Sequence, residues 1–137
     1  MAARKKTSVS FADETIKIVE EFPSRNHGLE NFSTKAEEII TDFSAMLSRT
    51  KKEILHLFSE NELSYIYDML NSSLILADQF PVKNLLAAQV EDADKYEGLG
   101  AKWEVSAPDL AKKISELTEF QAYTLAKMSD EFWAKNK

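Results

Sequence analysis

Residues 5–11, Lys5-Lys6-Thr7-Ser8-Val9-Ser10-Phe11, alternate in polarity and then give way at once to a helical pattern. The alternation sets Lys6, Ser8 and Ser10 on one face of a short strand and Thr7, Val9 and Phe11 on the other. Ile16, Val19 and Phe22 follow at i, i+3, i+6, with Ile18 broadening the stripe, so there is no room for a hairpin return. A lone strand carrying Val9 and Phe11 needs a mate from elsewhere, and a second copy of the chain is the simplest one. Two copies would pair as an antiparallel ribbon with a polar, basic outer face.

The rest of the chain reads as helical. Asp13 and Glu14 fit the first turn of a helix, where free amides favour acids, and Pro23 stops that helix. Ser24 to Asn31 is a loop in which Gly28 is the natural site of positive φ. Thr34 with Glu37 fits a capping box, and Phe32 two residues earlier fits a hydrophobic staple. Ala36, Ile39, Ile40, Phe43, Met46 and Leu47 make a broad stripe, which Ile54, Leu57 and Phe58 continue beyond a bend expected near Ser48-Arg49. Ser59 with Glu62 opens a further helix bearing Leu63, Ile66, Tyr67 and Leu70. Leu85, Leu86, Val90 and Ala93 mark another, ended by Gly98-Leu99-Gly100. Ser106 before Pro108-Asp109, and Thr118 with Gln121, start two more that meet at a tight corner. The last carries Leu125, Met128 and Phe132. Trp133, next to Phe132, cannot share one face with it fully, so one of the two rings is expected to dock on another helix or chain. The expected division is a dimerising module over 1–50 and an acidic helical part over 51–137.

Charge sharpens that division. The net charge is −6, yet residues 1–55 hold nine Lys or Arg against nine Asp or Glu. All of the excess acid lies in residues 56–137, and the first ten residues carry three basic side chains and no acid. The local field at the amino terminus is therefore positive, and a two-fold dimer would double it. A ribbon of that charge has the shape of an element that enters the major groove of DNA.

Strand, helix, loop and helix within about a third of the chain, residues 4 to 48, resemble the ribbon-helix-helix family of DNA-binding proteins. The matching residues are Thr7-Ser8-Val9-Ser10-Phe11 for the ribbon and Asp13-Glu14 with Ile16, Val19 and Phe22 for the first helix. Gly28-Leu29 matches the turn, and Ser33-Thr34-Lys35-Ala36-Glu37-Glu38-Ile39-Ile40 the second helix. Two departures are visible: Pro23 shortens the first helix, and Glu30-Asn31-Phe32 lengthens the turn. The resemblance implies a mainly α fold in which one strand is paired across a homodimer, followed here by an all-helical carboxyl-terminal domain. By position, Lys6, Ser8 and Ser10 would face base edges, and Arg4 and Lys5 the DNA backbone. Ser33, Thr34 and Lys35 would hold a phosphate at the helix amino end. Val9, Phe11, Ile16, Val19, Phe22, Ala36, Ile39, Ile40 and Phe43 would form the shared dimer core.

Other chemistry finds little support. There is no cysteine, and His27 and His56, the two histidines, are far apart, so neither thiol catalysis nor a histidine metal site is expected. Asp92 to Gly98 fails as a calcium loop because Gly98 falls one place late and Trp103 stands where glutamate is needed. Gly98-Leu99-Gly100 lacks the third glycine of a dinucleotide loop. The adjacent acids Glu20-Glu21 and Glu37-Glu38 sit on faces expected to be solvated, and no nucleophile-base pair is visible. No cofactor, no enzyme activity and no membrane span are expected, and the location expected by default is cytoplasmic. The leading expectation is a homodimeric, sequence-selective binder of double-stranded DNA, a transcriptional repressor or a plasmid or mobile-element accessory factor, with neighbouring dimers able to cooperate on DNA. The rival is a helical interaction or scaffold protein, antitoxin-like in one form, whose partner is a protein at the carboxyl-terminal helices.

Overall fold

A computed structural model describes residues 11–25, 31–71 and 82–136. Seven helices run through them: α1 (Asp13–Glu21), α2 (Phe32–Leu57), α3 (Glu60–Leu70), α4 (Val82–Glu97), α5 (Leu99–Trp103), α6 (Ala107–Ser115) and α7 (Glu119–Lys135). The fold is mainly α, with no strand among the described residues. Residues 5–10 of the expected ribbon lie outside them; Phe11 and Ala12 form the non-helical lead into α1. The chain divides into two compact units, Met1–Met46 and Leu47–Lys137.

In the first unit α1 carries Asp13 and Glu14 in its first turn and ends two residues before Pro23. The start of α2 differs from the expected capping box. Asn31 Oδ1 accepts the Thr34 amide at 2.9 Å, and the Asn31 carbonyl accepts the Lys35 amide at 3.0 Å. Asn31 is therefore the cap and Thr34 lies inside the first turn, because the asparagine side chain accepts the amide of Thr34 itself and the helix starts three residues earlier than Thr34 with Glu37 would set it. Phe32, the expected staple, is the first helical residue, and its ring meets that of Phe11 at 5.7 Å. Nor is α2 interrupted at Ser48-Arg49. It is continuous over 26 residues, since neither glycine nor proline interrupts its hydrogen-bond ladder.

The second unit holds the hydrophobic core. Ile54 and Phe58 meet Leu63, Ile66 and Leu70 of α3, Leu86 and Val90 of α4, Leu110 and Ile114 of α6, and Leu125 of α7 in one buried cluster. Each aliphatic side chain fully withdrawn from water contributes about 1.5–3 kcal/mol before entropy is counted. Helix α4 lies along α6, and α3 packs on α5 and α7. The three expected caps are in place. Ser59 and Glu62 form a reciprocal capping box, as do Thr118 and Gln121, and Ser106 accepts the Asp109 amide.

Long-range polar bonds tie the helix ends. Lys113 Nζ donates to the Leu57 carbonyl at 3.0 Å and to Glu62 Oε1 at 2.9 Å, joining the end of α2 to the start of α3. Burial tends to raise the Glu62 carboxyl, but the Ser59 amide and the Lys113 ammonium outweigh it and hold it below its usual range. Glu119 Oε2 accepts the Val82 amide at 2.9 Å, so a side chain of α7 covers the first turn of α4. Gly98-Leu99-Gly100 ends α4 as expected, with Gly98 at φ +67°, but Leu99 and Gly100 go on to form α5.

Candidate nucleic-acid interface

The described part of the candidate interface is the amino end of α2. Asn31 takes the amides of Thr34 and Lys35, and Phe32 and Ser33 before them stand in the first turn, whose amides have no acceptor within the helix. Ser33 is exposed, while Thr34 and Lys35 are half-buried. Lys35 Nζ donates to the Glu20 carbonyl at 2.6 Å, placing a positive charge against the last turn of α1, where carbonyls lack partners. The helix end thus sets first-turn amides beside a lysine one turn further along, whose charge is held on the Glu20 carbonyl. The base-facing residues Lys6, Ser8 and Ser10, and the backbone-contacting Arg4 and Lys5, lie outside the described residues, as does Val9.

A second polar group, not anticipated from the sequence, fixes the segment after α1 onto α2. The Arg25 amide donates to Glu38 Oε1 at 3.0 Å, and its Nε lies 3.2 Å from the same oxygen. Its two terminal nitrogens meet Asp42 Oδ1 at 2.8 Å and Oδ2 at 3.3 Å. A hydrogen bond to Asp42, then the charges of Asp42 and Glu38, hold the guanidinium above its ordinary pKa. Glu38, expected on a solvated face, is instead buried. The available signal was the spacing: Glu38 and Asp42 at i, i+4 repel each other on one helix face unless a cation lies between them.

The expected dimer core does not close within one chain. Of its described members only Val19 is buried, while Ile16, Phe22, Ala36 and Ile39 are half-buried. Phe11 and Phe43 are exposed, and Ile40 is 67% exposed; Ile18 and Met46 add further open apolar surface. Sequence periodicity identified these residues as apolar faces but could not tell an internal core from one that needs a second molecule.

In comparisons with protein-family models, with curated proteins and with solved structures, nothing matches the chain.

Proposed function

We propose that the chain is a homodimer that binds double-stranded DNA through its first unit. One observation carries the reading: the described residues of the unit Met1–Met46, α1 and the first part of α2, leave Ile18, Ile40 and Met46 exposed and bury just one apolar side chain, Val19. So small a unit cannot hold a stable core alone, and a second copy of the same apolar faces covers them symmetrically. Residues 5–11 then pair across the two-fold axis as a ribbon. Lys6, Ser8 and Ser10 face base edges, Arg4 and Lys5 meet phosphates, and Ser33, Thr34 and Lys35 at the amino end of α2 hold a further phosphate. The mechanism is occupancy: a bound dimer, or a row of them, blocks a promoter or organises a plasmid or mobile-element site. No chemistry on a substrate is involved, and the setting is cytoplasmic.

The basic opening decade supports this reading, because its charge of +3 is separated along the chain from the acid of residues 56–137. A filter-binding series against salt tests it. Retention should fall steeply as salt rises and drop when Lys6 and Ser8 are replaced. Equal, feeble retention of every duplex, unchanged by those replacements, favours the rival in which the chain is a helical interaction protein.

The acid of the second unit favours a protein partner there in addition. No helix among the described residues is long and apolar enough to cross a membrane.

A further inference from the structure

A cleft of about 230 Å3 opens in the second unit between α3, α5 and α7. Tyr67 and Asp68 of α3, Lys102 and Trp103 of α5, and Phe132 and Trp133 of α7 form its walls. The walls are fixed by bonds that span the helices. Trp133 Nε1 donates to the Tyr67 carbonyl at 2.8 Å, and Trp103 Nε1 to Asp68 Oδ2 at 2.9 Å. The rings of Tyr67 and Phe132 stack at 4.9 Å, and Phe132 meets Trp133 edge-on at 5.2 Å. Phe132 nonetheless stays 39% exposed, which leaves an aromatic ring open at the mouth.

A cation already sits at one end of this cleft. Lys102 Nζ lies 2.6 Å from Asp68 Oδ2 and 5.3 Å from the centre of the Trp103 ring. Carboxylate and indole together thus hold an ammonium group, and the ion pair keeps the Asp68 carboxyl below its ordinary range. Asp68 Oδ2 takes both the lysine and the indole donor, while no described residue donates to Oδ1. Among the described residues, Asp68 thus spends one carboxylate oxygen on two donors, in a cleft walled by four aromatic side chains.

We propose that this cleft receives an arginine side chain from a basic segment of a partner protein. Its volume falls below the roughly 300–1,000 Å3 of sites for drug-sized ligands and suits a single side chain. A guanidinium is planar and weakly hydrated, so it lies flat on Phe132 or Trp133 while one nitrogen donates to Asp68 Oδ1. Charge complementarity points the same way, because residues 56–137 carry the whole net charge of −6 and attract basic segments. Trp, Tyr and Arg are also the residues on which interface energy concentrates, and the cleft supplies the first two. The inference does not depend on DNA binding by the first unit.

The test uses the full chain and two blocked pentapeptides, one with a central arginine flanked by glycines and one with norleucine in its place. The only two indole N–H signals in a nitrogen-15 spectrum belong to Trp103 and Trp133. The arginine peptide should shift both in a saturable way, and the norleucine peptide neither. Lys102→Met removes the resident cation from an exposed position, frees Asp68 and uncovers Trp103. It should tighten arginine-peptide binding by about threefold or more while the far-ultraviolet circular dichroism is unchanged. The proposal is overturned if the arginine peptide moves neither indole in either protein. It is equally overturned if norleucine shifts them as much, which would make the cleft an apolar anchor, or if Lys102→Met weakens binding.

Discussion

Lys35 closes the end of the helix that precedes its own: its ammonium donates to the Glu20 carbonyl at 2.6 Å, fifteen residues back in the chain. The bond is exposed, so its contribution is small, about 0.5 kcal/mol. Lys35→Met should lower the stability of the first unit by that order. If the helix end holds a phosphate, the same change should reduce the salt dependence of DNA binding by about one counterion. A lost bond with an unchanged salt slope would assign Lys35 to folding alone.

Arg25 neutralises two carboxylates that share a face of α2. Arg25→Gln leaves Glu38 and Asp42 facing each other at i, i+4. The variant should melt at a lower temperature, most clearly at low salt, and Asp42→Asn added to it should restore part of the loss. Differential scanning calorimetry of the single and double variants measures both effects. A double variant less stable than Arg25→Gln would mean that Asp42 acts through some other partner.

Tyr65 makes the fold sensitive to alkali. It is 0% exposed, and its hydroxyl donates to the Val90 carbonyl at 2.6 Å. Burial, reinforced by the charges of Asp94 and Glu97, pushes the phenol up to about 12. In the unfolded chain it ionises near 10. Its contribution is therefore complete below about pH 10 and is lost as pH rises toward 12, a decline on the order of 2–3 kcal/mol. Tyr65→Phe should cost about 1–2 kcal/mol at neutral pH, because the Val90 carbonyl loses its donor, and should flatten the alkaline decline. Urea titrations at pH 8 and pH 11 read the neutral cost and about half of the alkaline decline.

Gly100 is held by the close approach of its neighbours. A Cβ there would lie 2.5 Å from Asp94 Oδ1 and 3.0 Å from the Val105 carbonyl oxygen. Asp94 could turn away, but only by releasing the Gly100 amide that it accepts at 3.0 Å. Alanine normally gains up to about 1 kcal/mol over glycine in a helix. Here the crowding should outweigh that gain, and Gly100→Ala should destabilise by about 1 kcal/mol. Denaturant midpoints at constant slope decide the sign.

Local chemistry was legible in the sequence where its partners are local. Ser59 with Glu62, Ser106 with Asp109 and Thr118 with Gln121 all cap as their spacing implies, since each bond spans three residues. Asn31 was missed because Thr34 with Glu37 offers the same pattern three places later. What sequence could not supply were the distant partners. Tyr65 is fully buried where Tyr67 was expected, since Tyr65 alone reaches the Val90 carbonyl on another helix. Glu38 is buried because Arg25, thirteen residues away, comes back to meet it. Of the neighbours Phe132 and Trp133, both reach another helix: Trp133 donates to the Tyr67 carbonyl of α3 and Phe132 stacks on the Tyr67 ring, while the two rings stay in edge-on contact. The cleft it helps to form draws on α3, α5 and α7, a juxtaposition that no spacing within one segment could announce.

Sedimentation equilibrium of the full chain and of Ile40→Lys bears most directly on the dimeric first unit. The natural chain should sediment at twice its 15.6 kDa monomer mass at micromolar concentration. Ile40→Lys, which sets a charge on a face left 67% open in one chain, should halve that mass while α-helical content is retained. A natural chain that stays at 15.6 kDa into the high micromolar range would contradict the account.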